Sequence, residues 1–258
     1  MEEHIYTNEE NGILYVTMNR PDRLNAFSED MLSGVVQALA HAGESEAIKA
    51  VVLIGAGRSF SAGGDVKTMG DVTPEQIYDH IGKLNETILA IKSLEKPVIA
   101  AVHGFAAGAG FNLVMACDLV IAEMKSKFTL SFAQVGLMSD GGGSYFLPKL
   151  IGIHRAKELM FSGEPINAST AKEWGLVNTL VQEDEMEYNV KAYAEKIASG
   201  PVKAFGMMKK VMDHSLNADL DEILEQERIT QTLLTASDDH KEGVQAFQEK
   251  RKPAFHGA

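Results

Sequence analysis

Residues 97–117 read PVIAAVHGFAAGAGFNLVMAC, 21 residues without a formal charge. That length could reach across a bilayer. However, Pro97, His103, Gly104, Gly108, Gly110 and Asn112 interrupt it, and its Gly/Ala content leaves it only weakly hydrophobic. It reads instead as a buried strand (Val98–Val102), a glycine loop, and a buried helix through Asn112–Ala116. The same order precedes it. Ala50–Ile54 (AVVLI) is a fully apolar strand that runs into Gly55–Asp65 (GAGRSFSAGGD). Ile77, Ile81, Leu84, Ile88 and Ile91 then predict one face of a helix from Pro74 to about Leu94. Beyond the stretch, Leu119–Ala122 reads as a third strand, Lys127–Ser131 as a fourth candidate, and Asp140–Gly143 as another glycine turn. The recurrence of strand, glycine loop and helix predicts an α/β fold of stacked strand–strand–helix coils.

Two short strands, Ile5–Thr7 and Ile13–Met18, flank the turn signal Asn11-Gly12. Ser28 is placed to cap a helix carrying Met31, Val35, Leu39 and Ala42, with Glu29 and Asp30 in its first turn. After Gly152 the pattern becomes helical: His154–Phe161, Ala168–Trp174, Glu185–Ala198, Val202–His214, Leu220–Thr235 and Asp239–Lys250. These late helices must cover either the open face of the core or a neighbouring subunit.

With 24 Lys+Arg against 36 Asp+Glu in 258 residues, the formal charge is −12. Such a chain has no long-range attraction for phosphates, so nucleic acid is not an expected partner. Cys117 is the sole cysteine, which excludes an internal disulfide and a Cys-clustered zinc site. Met1–Glu10 carries acids and no apolar core, so no signal peptide and a cytoplasmic location are expected. No membrane span is expected either.

Common motifs fail. Gly55-x-Gly57 would need glycine at position 60 for a dinucleotide fingerprint, and Phe60 is there. No Gly-Lys-Ser/Thr, Gly-x-Ser-x-Gly or His-Glu-x-x-His occurs. What remains is a pair of small-residue loops, Ser61-Ala62-Gly63-Gly64-Asp65 and Gly108-Ala109-Gly110. Small side chains let backbone N–H groups approach a ligand, and a helix N-terminus aims free donors outward. Two such donors on one oxygen make an oxyanion hole, each contributing about 3–4 kcal/mol to an enolate-like species. The same residues also suit tight turns and close helix packing.

In order along the chain stand Met18-Asn19-Arg20-Pro21 with Asn25-Ala26, Phe60–Asp65, Lys96–Gly104, Ala107–Gly110, Cys117-Asp118, Ala171–Val177, and Glu242-Gly243 through Phe247 to Lys250-Arg251. With these segments the chain resembles the enoyl-CoA hydratase/isomerase family, the crotonase superfamily, over nearly its whole length. The resemblance implies a spiral core of repeated ββα units (1–195) carrying the acyl-CoA site. A helical C-terminal region (196–258) would serve trimerisation, giving a homotrimer or a dimer of trimers. It also implies that the Ala62 and Ala109 N–H groups hold the thioester oxygen of an acyl-CoA. Arg23, Leu24, Ala26, Ala62, Gly63, Gly64, Asp65 and Val66 would surround the coenzyme A moiety, with Phe247 and Lys250 reaching a neighbour's ligand. Coenzyme A enters as the substrate's thioester; no prosthetic group, metal or redox cofactor is implied.

Departures from the family pattern bear on the reaction. Its hydratases use two glutamates, and those positions hold Asn112 and Phe132 here. Asn is no base at neutral pH, and Phe has no proton to give. A different acid, Asp140, stands in Gly136-Leu137-Met138-Ser139-Asp140-Gly141-Gly142-Gly143, where the resemblance places the acid of several family isomerases. One carboxylate suffices for a 1,3-proton shift, removing a proton from one carbon and delivering it two carbons away. Asp140 also stands where a helix N-cap would, and capping needs no chemistry. Asn112, Phe132 and Tyr145 are candidate pocket residues. Arg20, Arg23 and Lys250-Arg251-Lys252 are candidate phosphate contacts. The expected activity is enoyl-CoA isomerisation; the alternatives are an enoyl-CoA hydratase and a non-catalytic acyl-CoA-binding subunit.

Overall fold

The computed structural model describes residues 3–65 and 72–257. Strands β1 (Ile5–Glu10) and β2 (Ile13–Met18) pair antiparallel through Asn11 and Gly12. Both turn residues have positive φ, as a two-residue hairpin turn with the right twist requires. The apolar runs then add in parallel as β3 (Ala50–Gly55), β4 (Val98–Val102), β6 (Leu119–Glu123) and β9 (Thr179–Val181), in the order β1-β2-β3-β4-β6-β9. Alternation across the pleat divides the core. Val51 and Leu53 face one cluster, while Val52, Ile99 and Ile121 face another beneath Met186, Val190 and Ala194 of α7 (Met186–Ala198). Each of these large side chains, withdrawn from water, contributes roughly 1.5–3 kcal/mol.

A second, smaller sheet consists of β5 (Phe105–Ala107), β7 (Lys127–Thr129) and β8 (Ile166–Asn167). An isolated parallel bridge, Ser61 to Ala106, joins the chain after β3 to this sheet's β5 edge. Each coil therefore passes from the large sheet to the small one and then into a helix. The helices are α2 (Pro74–Ser93) after Ser61, α3 (Ala109–Ala116) after β5, and α4 (Gly143–Ile151) after β7. This is the expected ββα spiral, its first coil reduced to a bridge in the second sheet.

Ser28 caps α1 (Glu29–Glu44), its hydroxyl accepting the Met31 N–H. Helix α3 begins at Ala109, earlier than the Asn112–Ala116 core expected, because Gly108 makes the tight entry at φ 52°. The fourth strand stops at Thr129 rather than Ser131, since Ser131–Val135 coils into a 3-10 helix.

The later helices are α5 (Ile153–Ser162), α6 (Ala168–Glu173), α7, α8 (Val202–Ser215), α9 (Leu220–Leu234) and α10 (Asp238–Glu249). The boundary placed between 195 and 196 falls inside α7, whose Ile197 and Ala198 still pack on the sheet. Helix α9 buries none of its residues and leaves Leu220, Leu224, Ile229 and Leu233 exposed. Helix α8 is tied to the core by Lys209, whose Nζ donates to Asp118 Oδ2 (2.8 Å) and to the Ile91 carbonyl (2.7 Å). Among the described residues no helix is long and apolar enough to cross a membrane.

Candidate active site

The first glycine loop is held by the turn that precedes α1. Asn25 is fully buried at φ 54°. Its Nδ2 donates to the carbonyls of Ala56 and Ser59 (2.8 Å each), and its Oδ1 accepts the Arg20 N–H (2.8 Å). The Ser61 hydroxyl donates to the Asn25 carbonyl (2.7 Å) and accepts the Gly63 N–H (3.0 Å). The Phe27 N–H donates to the Gly63 carbonyl (2.7 Å). This network leaves few amides of the loop free.

Ala62 does not present the free donor expected of it. Its N–H donates to the Leu24 carbonyl (2.8 Å), the segment before α1 having folded over it. Gly64, two residues on, has no hydrogen-bond acceptor for its N–H among the described residues. The Ala109 N–H at the start of α3 is likewise open, as the first amides of a helix are. The two loops touch at Gly63, where a Cβ would lie 2.5 Å from the Ala107 carbonyl oxygen and 2.7 Å from the Ala109 nitrogen. Gly63 also sits at φ 78°. Only glycine fits both demands. The sign that points to Gly64 rather than Ala62 is a long-range backbone bond, which residue spacing does not reveal.

Asp140 lies between the 3-10 helix and α4. It is not the cap of α4: Gly142 takes that position, without a side-chain capping bond. The carboxyl is half-buried, and its Oδ1 is shut off from solvent with no hydrogen-bond partner. Burial pushes the Asp140 pKa above the usual carboxylate range, against the lowering pull of its own N–H, the Asn112 amide and the charge of His80. Leu84 of α2 and Cβ of Asn112 on α3 flank the following Gly141. His80 stands one helical turn before Leu84 on the same face of α2. It also lines a cavity of about 420 Å³ whose walls include Asp65 and Phe27. The sequence motifs mark neither His80 nor Ser139 as a site residue. The signal for His80 was its place on the Ile77–Ile81–Leu84 face of a helix.

Phe132 sits over the entry to α3, its ring edge 3.6 Å from where a Gly108 Cβ would be. Asn112 is buried behind that entry and bonded to the Asp140 loop. Tyr145 departs from the expected pocket. Its hydroxyl accepts from Asn217 Nδ2 (2.6 Å), and Lys149 Nζ stands 3.5 Å over its ring. It lines a separate, mostly apolar cavity of about 930 Å³ between α2, α4 and α8, which Gly142 also lines.

Arg20 is committed to the Ala26 carbonyl (2.6 Å) and to Asp65 (3.7 Å). Arg23 is exposed, and Leu24 and Ala26 belong to the turn that grips the loop. Gly64 and Asp65 continue the loop, and Val66 lies outside the described residues. Phe247 is 85% exposed on α10, and Lys250 follows it at φ 55°. Within one chain neither lines the cavity beside Asp65 and His80. Arg251 is engaged by Glu242 and Glu249. Burial pushes the Cys117 thiol up, so it is no nucleophile at neutral pH.

The chain is 35% identical over 262 residues, covering all of both chains, to the 1,2-epoxyphenylacetyl-CoA isomerase of Escherichia coli. It is 34% identical to the crotonyl-CoA hydratase of Syntrophomonas wolfei, over 98% of each chain. The crystal structure of an enoyl-CoA hydratase from Bacillus anthracis superposes with a TM-score of 0.95 at 33% identity, over 99% of this chain and 100% of that one. Residues 8–258 match the description enoyl-CoA hydratase/isomerase. The open amides, the half-buried acid and these likenesses agree: the chain belongs to the enoyl-CoA hydratase/isomerase family.

Proposed function

We propose that this family member is an isomerase that moves a carbon–carbon double bond in an enoyl-CoA. The substrate is the coenzyme A thioester itself, and no prosthetic group takes part. The observation that carries the reading is Asp140, an acid that caps nothing, with one oxygen buried and bare. By the resemblance, the positions of the family's two hydratase glutamates hold Asn112 and Phe132 here.

The Gly64 and Ala109 N–H groups receive the thioester oxygen and stabilise it as negative charge develops. The carbon beside or beyond the carbonyl then loses a proton to Asp140, leaving a dienolate. The same carboxyl, now neutral, returns the proton two carbons away. Its raised affinity for a proton makes it a better base than an exposed carboxylate. Arg23, Leu24, Ala26, Gly63 and Asp65 border the coenzyme A end. Phe247 and Lys250 complete a neighbour's site in a homotrimer or a dimer of such trimers, acting in the cytoplasm. The bare apolar residues of α9 supply the surface for that assembly.

The test is turnover of 3-hexenoyl-CoA and, separately, 2-hexenoyl-CoA by wild type and Asp140→Asn. Bond migration should fall by roughly a hundred- to ten-thousand-fold in the variant. Water addition to 2-hexenoyl-CoA that survives in Asp140→Asn would favour a hydratase instead.

A further inference from the structure

Asn112 lies within a buried apolar helix, yet its side-chain donors both leave that helix. Nδ2 donates to Ser139 Oγ (3.1 Å) and to the Asp140 carbonyl (2.8 Å). That carbonyl also accepts the Gly143 N–H (2.9 Å), so the turn at Asp140 is tied from both sides. Gly143 makes the arrangement possible, because a Cβ there would collide with Ser139 Oγ and Asn112 Oδ1. Asn112 Oδ1 is itself buried without a partner, as is Asp140 Oδ1. An apolar side chain of the same size would fill the space without leaving an orphaned acceptor, so packing alone does not account for the amide.

We propose that Asn112 is a positioning residue, whose amide clamps the turn at Asp140 so that the carboxyl faces the site with one oxygen bare. The proposal rests on the reading of Asp140 as the acid/base, and adds what holds it there. Because Asn112 stands three residues after Ala109 on α3, one rigid helix sets the acid relative to an oxyanion donor. The other groups that act on the carboxyl are its own N–H and His80 from α2. The Asn112 donor favours the ionised carboxyl, so its loss moves the titration upward.

The experiment compares wild type, Asn112→Leu and the near-isosteric Asn112→Asp. The Asp140 carboxyl is followed by carbon-13 NMR against pH, its signal assigned by its absence in Asp140→Asn. Turnover of 3-hexenoyl-CoA is measured alongside. Asn112→Leu should lower kcat tenfold or more with KM within twofold. The carboxyl should titrate at higher pH in Asn112→Leu, and in Asn112→Asp the two carboxyls should titrate as a pair whose last proton leaves at the highest pH of the three proteins. Folded variants that keep the wild-type titration and kcat overturn the clamp, even if Asp140→Asn is inactive. A shifted titration together with an active Asp140→Asn leaves the clamp standing and rejects the acid/base reading instead.

Discussion

Replacing Lys209 with Met should destabilise the protein more than any surface change, and by a pH-dependent amount. The Lys209 and Asp118 side chains are only 7% and 16% exposed and meet at 2.8 Å. Asp118 Oδ2 also accepts the Val98 N–H (2.8 Å), fixing the carboxylate against the end of β4. Even with Lys209 in place, burial holds the Asp118 pKa above the usual carboxylate range. Removing the ammonium leaves a buried charge with one backbone donor, a change that costs about 3–5 kcal/mol. For a chain of this size, each kcal/mol lowers Tm by roughly 2–4 °C, so a drop of roughly 6–20 °C is expected.

The sign with pH follows from the direction of the Asp118 shift. A carboxyl that binds its proton more tightly folded than unfolded destabilises the fold only once the unfolded form has ionised. The deficit of Lys209→Met should thus be small near pH 4 and grow as pH rises toward neutrality. The assay is urea denaturation at fixed protein concentration at several pH values. The double variant Asp118→Asn/Lys209→Met completes the cycle and should recover much of the loss. A Lys209→Met protein within 1 kcal/mol of wild type at pH 7, or a double variant no better than additive, would refute the reasoning.

Gly63→Ala should cost about 2–5 kcal/mol from backbone strain and overpacking together. It should also lower turnover at least tenfold by prising α3 from the loop; wild-type stability and activity in that variant would contradict the contact between the loops. If the proposed assembly holds, sedimentation of the purified protein should show three or six copies, with the leucines that α9 leaves bare within one chain covered between them. A monomer at micromolar concentration would mean that this face serves another purpose.

Local signals in the sequence carried far. β2 and β4 have the expected bounds, and Ser28 caps where its position before Glu29 and Asp30 indicates. Those features depend on neighbours along the chain. The misses depend on neighbours across it. Whether Ala62 or Gly64 offers its amide turns on the Leu24 carbonyl, 38 residues earlier, reaching the first of them. Tyr145 lines the cavity between α2, α4 and α8 rather than the one beside Asp65 and His80, a placement that rests on packing between helices far apart in the chain. Asn112 is a candidate pocket residue by its sequence position, and its hydrogen-bond partners lie 27 and 28 residues away. The capping role of Asp140 was a sound local alternative, and Gly142 displaced it.

The single bridge between Ser61 and Ala106 has a metric consequence. Adjacent strands in a sheet stand about 4.8 Å apart. One oxygen accepting two N–H groups at about 2.9 Å each can span donors no more than about 5.8 Å from one another. At the bridge, successive windings of the coil thus run at a pitch within the reach of one carbonyl shared by two donors. The gauge is main-chain geometry, so substitutions around it can exchange one acid for another without resetting the grip.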